Sequence, residues 1–281
     1  TVNEVIKNST WTGDDLEFIL QLYEYRLKQY YVDMLKIYAK KWNCESLQEF
    51  EMEAVSKKGF WLAKKKYALD LLWKEGGQSI YNGKEIAGQY FKNCKRKYTG
   101  IEVKKKSSPI FARNVLNDII SYLFDHSHNL NMNDLVKRLK KYKEEFKLEN
   151  VNDISMLSTI SNYNKYVIDD RTSVKIKSKC PIHIRGAALH NYLLNNNSKQ
   201  KQKYEMIRSG NKVKYYYIKS EVEKEGEVFS FIPGNLPMEI APEFDYDIMF
   251  SKVILNPVNR FIIAMGKSKI PDSLTTIKSL W

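Results

Sequence analysis

In the segment GFWLAKKKYAL a lysine stands two residues before a tyrosine, Lys65 and Tyr67. An ammonium and a phenol side by side can reach base-edge acceptors and the sugar-phosphate backbone of a duplex. Read as a strand, the segment alternates, with Trp61, Lys65, Tyr67 and Leu69 on one face and Phe60, Lys64 and Lys66 on the other. The plain alternative is a surface strand whose lysines guard its edge. A denser run follows, in which Lys92, Lys95, Arg96, Lys97, Lys104, Lys105 and Lys106 stand against the single acid Glu102. It leads into Ser107-Ser108-Pro109, where a serine N-cap, a proline in the first turn and the free amides of a helix start suit a phosphate. A third cluster, KCPIHIRG, gathers Lys179, His183 and Arg185, with Gly186 relieving crowding at a turn into the next helix.

Metal chemistry finds no comparable spacing. His126, His128, His183 and His190 share no ligand pattern with Cys44, Cys94, Cys180 or the acids. The pairs Asp14-Asp15, Asp169-Asp170 and Asp245/Asp247 read as helix starts and solvated surface rather than a two-metal site.

The elements that must position these groups follow from periodicity. Residues 12 to 41 place Leu16, Ile19, Leu20, Tyr23, Leu27, Tyr30, Met34, Leu35 and Tyr38 on one side of a helix, after Thr12 and Asp15 at capping-box spacing. A second helical piece is predicted over Ser46 to Val55, strands over 60 to 73, and a hairpin or loop between Gly76 and Gly88. A helix is expected from Pro109, with Phe111, Val115, Ile119 and Leu123 on its apolar face, and another capped by Asn133 through Leu135, Leu139, Tyr142 and Phe146. KVKYYYIKS and EVFSFIP read as a hairpin and Asp245 to Leu255 as a late helix. The shift from strand-like to helical patterning puts a domain boundary near residue 107.

Composition bounds the partner. The chain has 43% hydrophobic residues, which argues for a folded core, and 46 Lys+Arg against 33 Asp+Glu give a net charge of +13, which favours a polyanion. No run of 18 apolar residues suggests a membrane span, TVNEVIKNST lacks the pattern of a secretory signal, and three scattered cysteines suggest a reducing compartment. A soluble, unsecreted protein is the expectation.

The order GFWLAKKKYAL, YTGIEVKKKSSP, KCPIHIRG, GNKVKYYYIKS resembles the C-terminal part of family B DNA polymerases of large tailed phages, over nearly the whole chain. The resemblance implies an α+β fold: the last part of the palm at residues 1–106, with helices and antiparallel strands, then a mostly helical thumb with a β hairpin at 107–281. It implies that Lys64, Lys65, Lys66 and Tyr67 touch primer-template duplex behind the active site, with Ala63 where the family has glycine. By the same resemblance Lys104, Lys105, Lys106, Ser107 and Ser108 enter the thumb. Ser161, Asn162, Asn164 and Lys165 of SNYNKY, with Lys179, His183 and Arg185, would belong to the thumb's DNA-facing surface. Leu274, Ile277, Leu280 and Trp281 could dock on a sliding clamp, or pack back on the thumb.

The family's metal-binding carboxylates belong to motifs that precede this sequence, and no Asp-Thr-Asp occurs in it. The implied chain binds no cofactor itself. Mg2+ and deoxynucleotides would bind to an N-terminal polypeptide with exonuclease, fingers and catalytic palm, in an infected bacterium's cytoplasm. A split polymerase, favoured by the threonine start, or a fragment of a longer chain both satisfy this. A stand-alone nucleic-acid-binding accessory protein fits the charge pattern as well, and a self-sufficient nuclease or transferase would have to use Asp14, Asp15 or Asp245.

Overall fold

The computed structural model describes residues 16–169, 174–219 and 227–275. The chain forms two compact units, Thr1–Thr99 and Gly100–Trp281, a division that falls ahead of the change in patterning at 107. The fold is α+β, with helices and antiparallel sheets.

In the first unit, α1 (Leu16–Leu22), a π turn (Tyr23–Leu27) and α2 (Lys28–Lys41) follow one another without a break. A coil through residue 53 returns to a three-stranded meander of β1 (Ala54–Ala63), β2 (Lys66–Tyr81) and β3 (Lys84–Thr99). The helix expected over Ser46 to Val55 is absent; those residues are coil running into β1. Asn82 and Gly83, both at positive φ, close the β2–β3 hairpin between Tyr81 and Lys84, within the stretch from Gly76 to Gly88 where a hairpin or loop is expected. The core is small: Leu16 with Trp73 and Tyr81, flanked by Leu20, Met52, Val55, Leu72, Ile86 and Tyr90. Only the start of the long helix therefore lies on the sheet. Tyr30, Met34 and Tyr38, expected on its buried side, are exposed.

In the second unit, α3 (Ile110–Asp125) and α4 (Met132–Leu148) bury the apolar faces that periodicity assigned, with Asn131 rather than Asn133 as the α4 cap. Phe146 is fully buried, with the rings of Phe111, Phe244, Tyr246 and Phe250 centred 5.7, 6.5, 6.4 and 5.7 Å from its own. After α5 (Val151–Ile154), β4 (Met156–Thr159) forms the edge of a sheet ordered β4, β7 (Lys212–Tyr217), β8 (Val228–Phe231). The predicted hairpin is β7–β8. Between β4 and β7 come α6 (Tyr163–Tyr166), the pair β5 (Val167–Asp169) and β6 (Val174–Ile176), α7 (Ile182–Asn195) and α8 (Ser198–Lys203).

Asp245, whose side chain accepts from the Ile248 amide, caps α9 (Tyr246–Phe250), so its reading as a helix start holds. A π turn (Ser251–Leu255) joins α9 to α10 (Asn256–Ala264). Its cause is Pro257, which has no N–H to give the Val253 carbonyl and whose ring would strike it; a wider turn just upstream relieves both.

Candidate nucleic-acid interface

Lys64 and Lys65 do not lie on a strand. The register pairs Trp61 with Tyr67 and Ala63 with Lys66, leaving Lys64-Lys65 as a two-residue turn with Lys65 at φ 59°. The alternation that put Lys65 on the face of Tyr67 is corrected accordingly: β1 runs through a register irregularity between Trp61 and Ala63 and the chain reverses at Lys64-Lys65, so the segment is two strands and a turn rather than one strand. The turn thrusts two exposed ammonium groups beyond the sheet. Behind it, Trp61, Tyr67 and Thr99 are directly opposite one another across β1, β2 and β3. The Trp61 indole is 66% exposed and lies over Gly59, where a Cβ would come within 2.5 Å of the ring. The tip of this unit thus offers cations and, behind them, aromatic surface, the pairing that grips a sugar-phosphate edge.

A lysine at positive φ is strained by roughly 1 kcal/mol, which glycine relieves. Lys65→Gly is therefore expected to leave stability unchanged or up to ~1 kcal/mol higher while weakening DNA binding. Urea midpoints and DNA titrations on the same protein check this; a parallel loss of both would assign Lys65 to the fold.

Further along β3, two cations of the basic run are consumed internally. Arg96 pairs with Asp70 at 3.1 Å and Lys97 with Glu53 at 2.5 Å. In the second unit the Lys104–Ser108 corner divides the same way. Lys105 donates to Glu102 at 3.1 Å, and Arg260 reaches the same carboxylate at 3.2 Å. Lys104 and Lys106 remain exposed. Ser108 is not the cap of α3: Pro109 occupies that position without a side-chain bond, and the Ser108 amide donates to the Lys105 carbonyl.

Burial pushes the Glu102 carboxyl up, but the Arg260 charge and the Lys105 hydrogen bond outweigh it and hold it below its ordinary 4.5. A depressed folded-state value stabilises above the unfolded one, so this stability is complete above about pH 4.5 and is lost as pH falls through the folded value. Glu102→Gln is expected to remove that part of the acid sensitivity, read as thermal midpoint against pH between about 3 and 6.

From the corner, β4 leads to the next group. The Leu157 amide donates to the Ser107 carbonyl at 3.0 Å, and at the other end the Ile160 amide donates to Asn211 and the Gly210 amide to Ile160. Four residues of strand span ~13 Å, the rise of about four base pairs. At the far end one apolar cluster, Ile160, Val167, Ile184, Ala187, Ala188, Ile207 and Val213, organises several polar segments around it. Asn162, at φ 54°, starts α6, and the Tyr163 amide donates to the Ser209 hydroxyl at 2.8 Å. Asn191 of α7 donates to the Tyr163 hydroxyl at 3.1 Å, and the Lys177 amide to the Tyr166 carbonyl.

Asn162, Asn164, Lys165, Lys179 and Arg185 stand on segments that pack against this cluster, and so do Lys175, Lys177, Arg208 and Lys212, from strands and turns that sequence patterning did not single out. Among the described residues none of these seven cations has a carboxylate partner. Lysines elsewhere in the unit do, including Lys143 with Asp247 at 2.7 Å and Lys203 with Glu239 at 2.5 Å. Cations gathered around one apolar cluster, without a carboxylate partner among the described residues, raise the local positive potential.

His183 takes a different role. It is half-buried near the Tyr215 ring, and burial pushes its pKa below 6.5, so it is neutral at pH 7. Its carbonyl accepts from Ser230 at 2.8 Å, which ties α7 to β8. Gly186 lies inside α7, not at a turn into it. A Cβ there would stand 2.5 Å from Ser230 Oγ and 2.9 Å from the Ser230 amide nitrogen. Glycine thus permits the close approach that carries Arg185 to this edge.

The remaining candidates separate from the interface. Leu274 is 2% exposed, and Ile277, Leu280 and Trp281 are outside the described residues. Asp14, Asp15 and Asp170 are also outside them. His190 is buried with Nε2 at 3.1 Å from the Glu205 carbonyl, and His126 Nδ1 is 3.0 Å from the Tyr122 carbonyl. Among the described residues no group of three or more His, Cys, Asp or Glu could hold a metal ion, and no helix is long and apolar enough to cross a membrane. In comparison with known proteins, the chain matches no family model and no curated protein.

Proposed function

We propose that this chain holds primer-template DNA by its backbone, as the palm remainder and thumb of a family B DNA polymerase at work in the cytoplasm of an infected bacterium. Another polypeptide, or a preceding region, carries the exonuclease, the fingers and the carboxylates that bind Mg2+ for nucleotidyl transfer to deoxynucleotides. The observation that carries this reading is the uncompensated basic group around the end of β4, with the Lys64-Lys65 turn as a separate contact in the first unit. Cations without a carboxylate partner among the described residues, flanked by the amide of Asn162 and the hydroxyl of Ser161, suit phosphates spaced along a strand rather than a small ligand.

Binding is then independent of base sequence, and log affinity falls with log salt at a slope of about −5 if roughly six phosphates are neutralised. Primer extension tests the whole reading: this chain alone, a polypeptide with the upstream catalytic motifs alone, and the mixture. Synthesis only from the mixture, reduced by Tyr67→Ala, supports it. Salt-dependent DNA binding without synthesis in any mixture would leave a stand-alone DNA-binding accessory protein.

A further inference from the structure

Helix α2 and the coil returning from it present an apolar face with no cover among the described residues. Tyr30, Tyr31, Met34, Ile37, Tyr38 and Trp42 form a stripe at helical spacing, and Leu47 and Phe50 of the coil extend it, all between 39 and 83% exposed. Phe50 closes the patch against Tyr31, ring centroids 5.2 Å apart, and its carbonyl accepts from the Tyr23 hydroxyl at 2.8 Å. Ala39 alone is buried along α2. A helix of this length is marginal in water on propensity alone, and its packing face here points outward.

At about 200 Å² for each large side chain, the exposed part amounts to on the order of 900 Å². That exceeds the few hundred Å² of a typical monomer's largest patch and matches the ~800 Å² each partner contributes to a stable interface. The charges around it narrow the occupant. On the helix, Glu24 is paired with Lys28 at 3.1 Å and Asp33 accepts from Gln29 at 2.9 Å, whereas Arg26, Lys36, Lys40 and Lys41 have no carboxylate among the described residues. A second copy would bring another +13 to the contact, and a net charge of that size favours the monomer. Single-stranded nucleic acid would stack on the tyrosines, but it has no use for Met34, Ile37 and Leu47 and would meet Glu45, Glu49 and Glu51 along the coil.

We propose that this face docks a different folded protein whose patch is apolar and sets carboxylates opposite Lys36, Lys40 and Lys41. In naming that protein as the polypeptide with the catalytic carboxylates, the inference rests on the function proposed above.

The test mixes the purified chain, without DNA, with a family B polymerase polypeptide that ends after its second catalytic carboxylate motif, and measures the dissociation constant by sedimentation. Tyr38→Glu with Trp42→Glu is expected to weaken association about 100-fold while shifting the chain's own thermal midpoint by less than ~2 °C. A large fall in that midpoint would mean the face is covered within the chain, and overturns the proposal. So does self-association that the same substitutions abolish, or loss of single-strand binding as their main effect. A complex indifferent to them removes this face but leaves the polymerase reading standing. No complex, together with no synthesis in the mixture, removes both.

Discussion

Replacing Lys165, Lys179, Arg185 and Arg208 together by alanine is expected to weaken duplex binding about a thousandfold at 0.1 M salt. Each phosphate contact contributes ~0.9 to the salt slope, so four contacts remove about 3.6 from it and leave affinity much less dependent on salt. The loss should be the same for any DNA sequence, because these groups meet phosphates and not base edges. All four side chains are exposed and, among the described residues, without acidic partners, so stability should change little. A control set drawn from the paired lysines, Lys143, Lys147 and Lys203, removes nearly as much charge and should cost far less affinity. Fluorescence anisotropy from about 50 to 300 mM salt decides between them. Equal losses in the two sets would mean that net charge, not the edge of β4, holds the DNA.

Gly186→Val should cost the second unit ~3 kcal/mol or more. Leaving glycine gains at most ~1 kcal/mol of helix propensity, because valine is only a moderate helix former. Against it, the first added carbon would meet the Ser230 amide nitrogen at 2.9 Å, a backbone atom of the fully buried strand β8 that cannot easily step aside. Overpacking of this kind typically costs 1–3 kcal/mol for a single methyl, and valine adds two more carbons. The helix must lift from β8, which breaks the Ser230 bond to His183 and displaces Arg185. Gly186→Ala should show a smaller loss of the same kind. Denaturant midpoints provide the number, and parental stability in the valine variant would refute the close approach.

Much of the second unit was readable because its signals are local. IFARNVLNDIISYLFD repeats its apolar residues at helical spacing and buries that face, and KVKYYY and EVFSF alternate into a hairpin. The Lys64-Lys65 turn was not, since no glycine, asparagine or proline marks it and the lysines continue the alternation to the eye. Ser46 to Val55 has helix formers enough, yet tertiary context draws Val55 into β1 opposite Trp73. The basic run suggested a continuous phosphate corner; which lysines are free depends on Asp70, Glu53 and Glu102, whose pairings no spacing reveals. Likewise Lys175, Arg208 and Lys212 join the site through a shared apolar cluster, a relation between segments far apart in the chain.

The π turn ahead of Pro257 sets the rotational phase of everything beyond it. Each residue added to or removed from a helix turns the remainder by about 100°. Deleting one residue within Ser251–Leu255 would rotate Met249 and Phe250 relative to Val258, Phe261 and Ile262, all now buried in one core. This helix should therefore accept many substitutions on its outer side and no change of length, so that insertions and deletions in variants of the protein collect in its loops.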